Sequence, residues 1–217
     1  MSVDLGFVTR VAPTLAQGLA TTVALAIPAI VLSALWAIAV VAGLMARSRL
    51  VARITADYVE LVRNTPVLVQ MFFIFFGSGV LGFPLSGFVA ALLALVLQNG
   101  AYVAEIYRGG IRSVAQRQAE AGLALGLTKR KTFAIVVLPQ AIRKVVPSLS
   151  NQGILIIKDT SLAATISVAE LTFQARLLAD RTAAVFEIFF TLALFYLALT
   201  AIFAGAMRLI ERRVRIA

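Results

Sequence analysis

Charged residues are missing from two long stretches of this 217-residue chain, and this pattern limits its possible folds more than any other feature. Residues 11–46 form a run of 36 positions without a charge, and residues 64–104 form a run of 41. An α-helix needs about 20 apolar residues to cross the hydrocarbon core of a membrane. The first stretch is therefore long enough for one span and the second for two. With 61% hydrophobic and only 14% charged residues, the composition excludes a freely soluble globule.

Helix-breaking residues divide the chain into five predicted membrane spans. A cluster of glycines around Pro84 separates two spans within the second uncharged stretch. Thr65 is predicted to cap the second span, with Pro66 at its first helical position, and Pro147 is predicted to open the fourth. The sequence therefore predicts an all-α integral membrane protein with a single transmembrane domain over residues 1–217. The spans are expected at about 20–46, 66–82, 86–105, 148–168 and 184–207.

The basic residues are distributed unevenly between the two sides of this arrangement. Sixteen of the 20 Lys and Arg residues fall on one side, three fall on the other, and Lys158 lies inside the fourth span. Loops rich in Lys and Arg remain in the cytoplasm. The sequence therefore predicts an outside N-terminus and a cytoplasmic C-terminus. Since topology explains the net charge of +10, no nucleic-acid partner is expected.

The residue inventory also limits the possible chemistry. The chain contains no Cys and no His. Thiolate chemistry, Cys/His metal sites and triads with a His base are therefore excluded. Acidic residues are few and form no catalytic cluster in the sequence, which disfavours a membrane enzyme. No catalytic residue and no metal site are predicted.

The largest segment predicted on the cytoplasmic side runs from about residue 108 to residue 144. Residues 119–125 are good helix formers, and Gly126 is placed to end their helix in the left-handed conformation. Thr128 is predicted to cap a second short helix, which Pro139 ends or kinks. The apolar residues of such a loop favour contact with either a protein partner or lipid headgroups. Composition leaves both possibilities open.

The spacing within this loop resembles a known motif, the EAA loop of bacterial ABC importer permeases. That family pattern is Glu-Ala-Ala, three residues, Gly, nine residues, Ile, one residue and Leu-Pro. The positions that match its spacing here are Glu120, Ala121, Gly122, Gly126, Val136, Leu138 and Pro139. Two of them depart from the pattern, since Gly122 replaces Ala and Val136 replaces Ile. Glycine in place of alanine softens a helix by up to about 1 kcal/mol.

Three further segments are similar to the polar amino-acid branch of these permeases, the histidine/glutamine type. They are RNTPVLVQMFFIFFG at 63–77, QNGAYVAEIYRGGI at 98–111 and IKDTSLAATI at 157–166. The resemblance implies the type I ABC importer permease fold, with five transmembrane helices and a cytoplasmic coupling-helix loop. It also implies a permease subunit that moves a polar or charged amino acid across the bacterial inner membrane.

The resemblance further implies partners. These are a second permease subunit, identical or paralogous, two cytoplasmic ABC ATPase subunits, and a periplasmic or lipid-anchored substrate-binding protein. The residues implied to dock the ATPase are Glu120, Ala121, Gly122 and Gly126. No cofactor is expected in this chain, and ATP and Mg belong to the partner ATPase. The spacing from Gly122 through Gly126 to Lys129 does not match a phosphate-binding loop.

Polar residues inside the predicted spans are the candidates for a substrate pathway. A charge at the centre of a span costs about 2.5–3.5 kcal/mol on insertion scales. Lys158 and Asp159 are therefore expected to face the bundle or a wet cavity, either to recognise an amino acid's charged groups or to form a buried ion network. The pathway candidates are Lys158, Asp159, Gln98, Asn99, Ser161, Gln70 and Glu105.

Several of these candidates have a second interpretation. Gln98 and Asn99 offer donors and acceptors to a zwitterion, but polar pairs also join helices in membranes. Glu105 is spaced to form a salt bridge with Arg108, and Ser161 is suited to a hydrogen bond with its own helix backbone. The competing function is an ATP-independent ion or small-solute channel, which has no use for an ATPase-docking loop.

Overall fold

The computed structural model describes residues 5–114 and 116–215, and every regular element within these ranges is a helix. A π-helix at Phe133–Val137 and a 3-10 helix at Thr160–Ile166 flank α7. The α-helices, in chain order, are α1 (Leu5–Leu44), α2 (Arg49–Asn64), α3 (Val67–Val80), α4 (Gly87–Arg112), α5 (Gln116–Ala124), α6 (Lys129–Thr132), α7 (Leu138–Asp159), α8 (Leu171–Thr182) and α9 (Val185–Arg215).

Four helical segments of the described chain are long and apolar enough to cross a membrane. They are Val11–Leu44, Gly87–Arg112, Lys129–Ile166 and Val185–Val214. A fifth span is obtained if α2 and α3, which bend by 106° from one another, are counted as one broken span. The 14 residues of α3 extend over only about 21 Å, less than the hydrocarbon core of about 30 Å. The count of four or five agrees with the predicted all-α membrane fold.

The start of the second span differs from the prediction at Thr65. This residue ends α2 instead of capping α3, and its Oγ1 donates to the Leu61 carbonyl at 2.8 Å. Pro66 precedes the first residue of α3 and provides no side-chain cap. A proline ring displaces the preceding residue from the helical region of backbone space. The chain therefore turns sharply at Thr65, between two helices.

The prolines of the fourth span also behave differently from the prediction. Pro147 does not open a helix, because it lies inside α7. Pro139 does not end one, because the helical run continues from Lys129 to Ile166. Pro139 directly follows the π-helix, whose wider turn shifts the backbone hydrogen bonds by one residue and so accommodates the missing N–H. The predicted span at 148–168 corresponds to the C-terminal part of this longer run.

Other helix ends lie closer to the prediction. Ser86 caps α4 by accepting from the Val89 N–H at 3.3 Å, at the predicted start of the third span. The first helix begins well before residue 20, and the last continues beyond residue 207 to Arg215. No helix was predicted over Leu171–Thr182, where α8 lies.

Small residues allow α1 and α4 to pack closely along each other at the centre of the bundle. Close approach through alanines is typical of helix pairs in membranes. The buried residues at this contact are Leu25 and Ala29 of α1, Ala90, Ala91, Ala94 and Leu95 of α4, Met71 of α3 and Ile156 of α7. The bundle core therefore joins α1 to three helices that carry candidate residues, α3, α4 and α7.

A fully buried carboxylate, that of Glu170, joins the start of α8 to two other helices. Glu170 caps α8 by accepting from the Phe173 N–H at 2.7 Å. Its other oxygen accepts from Tyr196 Oη of α9 at 2.9 Å and from Thr22 Oγ1 of α1 at 3.5 Å. Burial raises the pKa of the Glu170 carboxyl above its usual value, against the effect of these donors.

Candidate functional site

The loop predicted to bind a partner is built around a helix that ends as expected. Gly126 has a φ of +80°, the left-handed conformation predicted for it. Its N–H donates to the Leu123 carbonyl at 2.9 Å, and the Leu127 N–H donates to the Gly122 carbonyl at 3.1 Å. This pair of bonds is the Schellman motif, which satisfies the last carbonyls of α5. The turn after α5 is thereby fixed.

The outer surface of α5 and its turn is available to a partner. Glu120, Ala121 and Gly126 are all exposed, and the Leu125 side chain is 82% exposed. Gln116 Nε2 donates to Glu120 Oε1 at 2.8 Å, which holds that carboxylate along the helix. Small residues beside one oriented charge and one exposed leucine form a surface suited to close protein contact.

Gly122, predicted among the docking residues, is instead buried within the fold. A Cβ added there would lie 2.9 Å from Thr132 Cγ2, 3.3 Å from Thr132 Oγ1 and 3.4 Å from Val136 Cγ2. Thr132 is itself 3% exposed, and its Oγ1 is buried without a hydrogen-bond partner among the described residues. Gly122 therefore allows α5 to pack tightly on the following helices and does not face outward.

One continuous helical run connects this loop to the membrane bundle. It begins at Lys129, where Thr128 caps α6 as predicted by accepting from the Lys131 N–H at 3.4 Å, and it extends 38 residues to Ile166. The root of the loop is closed by Lys144 Nζ, which donates to the Ser113 carbonyl at the end of α4. The loop and the membrane helix therefore belong to one continuous helical segment.

The polar residues predicted on two different spans lie at similar depth in the bundle. Ile166 is level with Gly87 at the start of α4, since a Cβ on Gly87 would lie 2.5 Å from the Ile166 carbonyl oxygen. Asn99 is 12 residues further along α4, or about 18 Å. Asp159 precedes Ile166 by seven residues of 3-10 helix, or about 14 Å. Both therefore lie near the middle of a core about 30 Å thick.

Asn99 joins two helices of the same chain. It is 2% exposed, its Nδ2 donates to the Leu95 carbonyl at 2.8 Å, and its Oδ1 accepts from Gln152 Nε2 of α7 at 2.7 Å. The neighbouring Gln98 differs, because its Oε1 is buried without a hydrogen-bond partner among the described residues. Asn99 thus connects α4 to α7, whereas the amide oxygen of Gln98 is left unsatisfied within the described part of the chain.

The charged pair lies where α7 changes into the 3-10 helix. Lys158 is exposed and Asp159 is half-buried, and neither belongs to the two ion pairs found within the described chain. Thr160 Oγ1 donates to the Ile157 carbonyl at 2.7 Å, and Ser161 lies half-buried on the 3-10 turn. Charges inside a membrane span mark substrate pathways in transporters, and here they lie where the α-helix tightens into a 3-10 helix.

Gln70 is used at the bend between α2 and α3. Its Nε2 donates to the Val62 carbonyl at 2.9 Å and to the Thr65 carbonyl at 3.0 Å. These bonds satisfy carbonyls at the end of α2, where no intrahelical donor remains. The structure therefore places Gln70 at a helix terminus and not beside Asn99 or Asp159.

A charged cavity of about 450 Å³ lies between α2 and α4. Arg108 and Glu105 line it and form the predicted salt bridge at 2.6 Å. Glu60, Arg63 and Tyr102 line it as well, and the Arg63 guanidinium lies 5.1 Å from the centre of the Tyr102 ring. The cavity thus offers both signs of charge, next to an aromatic ring that attracts cations.

The residues from α2 in this cavity were missed because no helix was predicted between the first two spans, over residues 47–65. Ser48 caps this helix, accepting from the Val51 N–H at 3.5 Å, and a serine ahead of a periodic segment is a signal readable from sequence. Glu60 and Arg63 are three residues apart and hence share a helix face.

The sequence and the fold both have known counterparts. Residues 36–216 match the family described as binding-protein-dependent transport system inner membrane component. The chain is 40% identical over 161 residues to the glutamine transport system permease protein GlnP of Escherichia coli strain K12, covering 73% of this chain and 74% of that protein. It is 34% identical over 217 residues to the probable amino-acid permease protein YxeN of Bacillus subtilis strain 168, covering 97% and 96% respectively. A crystal structure of an amino acid ABC transporter with histidines matches with a TM-score of 0.92 and 32% identity, over 98% of this chain and 100% of that chain.

Proposed function

The chain belongs to the family of binding-protein-dependent transport system inner membrane components, and we propose that it lines, with a second permease subunit, the import pathway of a polar or charged amino acid. It is a multi-pass permease subunit of an amino-acid ABC transporter, and the ATPase of such a transporter is a separate subunit. The observations that carry the proposal are the polar contact between α4 and α7 at Asn99 and Gln152, and the charged pair Lys158 and Asp159 further along α7, where the α-helix passes into a 3-10 helix.

The proposed site matches the chemistry of a zwitterion. The Asp159 carboxylate, half-buried at the end of α7, attracts the substrate ammonium group. Lys158 projects about 100° away around the helix and attracts the substrate carboxylate. The bond between Asn99 and Gln152 holds α4 and α7 in register, so that these groups keep their spacing.

Energy for transport enters through the loop. Two ABC ATPase subunits bind the surface formed by Glu120, Ala121 and Gly126, and their ATP-driven closure displaces α5. The continuous run from Lys129 transmits that displacement to Asp159, which changes the side from which the site is open. A substrate-binding protein delivers the amino acid on the opposite side. The charge distribution favours an outside N-terminus and a cytoplasmic C-terminus in a bacterial inner membrane.

The substrate site is tested by Asp159→Asn in proteoliposomes that contain the complete transporter and its binding protein. This variant loses the charged hydrogen bond between Asp159 and the substrate ammonium group, which contributes about 1.5–3 kcal/mol. Amino-acid uptake is therefore expected to fall about 10- to 100-fold. Asp57→Asn is the matched control, because Asp57 is an exposed residue paired with Arg53. Assembly with the ATPase is expected to persist in both variants. Unchanged uptake by Asp159→Asn would contradict the proposed role of this carboxylate.

The docking surface is tested separately by Glu120→Lys, with Glu211→Lys on α9 as the control for the change in charge. Glu120→Lys is expected to abolish co-purification of the ATPase, and the control is expected to retain it. Retention of the ATPase by both variants would reject docking at α5. Ion conduction in planar bilayers by the purified chain alone, without ATP, would instead favour the channel.

A further inference from the structure

An apolar groove of about 460 Å³ runs along the surface between α1, α4 and α7. Its volume lies within the roughly 300–1,000 Å³ typical of ligand sites. Ile142 and Ile38 leave 48% and 58% of their surface exposed there. The groove is lined mainly by branched aliphatic side chains, among them Ile38, Val41, Ile111, Ile142, Val145 and Leu149.

The groove continues into a basic pocket at the inner ends of α1 and α4. A smaller cavity of about 140 Å³ is lined by Leu44, Met45, Arg108 and Arg112, and it shares Ile111 with the groove. Arg108 is bound to Glu105, whereas Arg112 is exposed and takes part in neither ion pair of the described residues. The surface therefore changes from apolar to cationic along a single path, at the level where the helices leave the membrane.

We propose that this path binds an anionic phospholipid of the adjacent leaflet, with an acyl chain in the groove and the phosphate group at Arg112. Basic pockets between transmembrane helices recognise anionic headgroups in this way. A second copy of this chain is a poorer occupant, because the segments at the same level carry 16 basic residues against five acidic ones, Asp57, Glu60, Glu105, Glu120 and Glu211. The lipid supplies the negative charge that such a copy lacks.

The proposal is tested by native mass spectrometry of the purified permease–ATPase complex. Phosphatidylglycerol and phosphatidylethanolamine of equal chain length are added at equal concentration, and retention of each is followed as collision energy rises. Phosphatidylglycerol is expected to remain at energies that remove phosphatidylethanolamine. Arg112→Gln is expected to lower the retention of phosphatidylglycerol about fivefold, because one basic residue near a membrane surface contributes about 1 kcal/mol to the binding of anionic lipid. Ile142→Trp, which fills the groove, removes both lipids.

Two control variants separate this site from general effects. Arg212→Gln removes an exposed basic residue from α9, and Ile202→Trp enlarges a side chain that is 71% exposed on the same helix. Both are expected to retain lipid like the unmodified chain. Equal retention of the two lipids, or equal loss in Arg112→Gln and Arg212→Gln, would overturn the proposal. So would a loss of permease dimers in Ile142→Trp with lipid retention unchanged, since a second copy would then cover the groove.

Discussion

Replacing Gly122 by alanine tests whether tight packing of α5 on the next helices sets the geometry of the docking loop. Alanine is the residue of the family pattern at this position, so the pattern alone predicts little effect on the loop. In this chain, however, the new Cβ would lie 2.9 Å from Thr132 Cγ2. Threonine is branched at Cβ and has few alternative rotamers, so its methyl group does not move aside easily.

The two opposing contributions to the free energy are of similar size. Alanine in place of glycine favours the helix by up to about 1 kcal/mol. Overpacking a buried contact costs about 1–3 kcal/mol. Gly122→Ala is therefore expected to destabilise the loop by about 1 kcal/mol. In a Thr132→Ser background the methyl group is gone and the next atom lies at 3.3 Å, so the same substitution becomes favourable. The coupling energy between the two positions is then about 2 kcal/mol, within the range for residues in contact.

Hydrogen–deuterium exchange of the intact transporter measures the local stability of the loop in each variant. Amides of residues 116–127 are expected to exchange about fivefold faster in Gly122→Ala than in the unmodified chain, because local opening becomes easier by about 1 kcal/mol. The double variant with Thr132→Ser is expected to exchange more slowly than Thr132→Ser alone. Gly109→Ala in α4 is the matched control, since nothing lies within 4 Å of its added Cβ. If Gly122→Ala has the same effect on exchange in both backgrounds, the packing explanation is wrong.

Three further results are expected. Gly126 has a left-handed conformation, so Gly126→Ala should destabilise the docking loop by about 1–2 kcal/mol and lower ATPase co-purification. Gly126→Asn should destabilise it less, because asparagine tolerates this conformation. Equal losses of co-purification in the two variants would exclude backbone strain as the cause. Gln152→Leu leaves the buried Asn99 Oδ1 without its donor and should lower the free energy of unfolding by about 1–3 kcal/mol, and a second substitution, Asn99→Leu, should recover most of that loss in thermal melts. Because burial raises the pKa of Glu170 in the folded chain, the free energy of unfolding should fall as pH rises from about 4.5 through that raised pKa. Glu170→Gln should flatten this dependence of Tm on pH, and an unchanged slope would assign it to other groups.

The sequence was sufficient for features that depend on long-range composition. Membrane spans are visible because a charge inside the hydrocarbon core is expensive, and the two uncharged stretches follow from that cost. Local chemistry was equally readable at Gly126 and Thr128, where a left-handed glycine and a hydroxyl cap have few substitutes. The left-handed end of α5 and the hydroxyl cap of α6 were therefore both predicted correctly.

Prediction was least successful where one residue type serves two opposite purposes. Proline begins some helices and distorts others, and Pro139 lies in the first turn of α7, directly after a π-helix, without ending the helical run. Pro147 lies inside α7. The contacts that hold α7 against the other helices are not visible in the sequence, so the continuation of the helix through Pro147 was not predicted. No helix was predicted where α2 and α8 lie, although both helices direct one face toward the bundle at Val59 and Leu171. The cavity between α2 and α4 was missed for the same reason.

The π-helix at Phe133–Val137 also determines where the chain tolerates a change of length. A π-helical turn holds about one residue more than an α-helical turn, so removing one residue there yields an ordinary helix with its flanking faces still aligned. Removing one residue between Asn151 and Ile157 would instead rotate everything before it by about 100° relative to Asp159. A deletion of one residue within the π-helix is therefore tolerated, because the docking loop and the membrane helix keep their relative rotation.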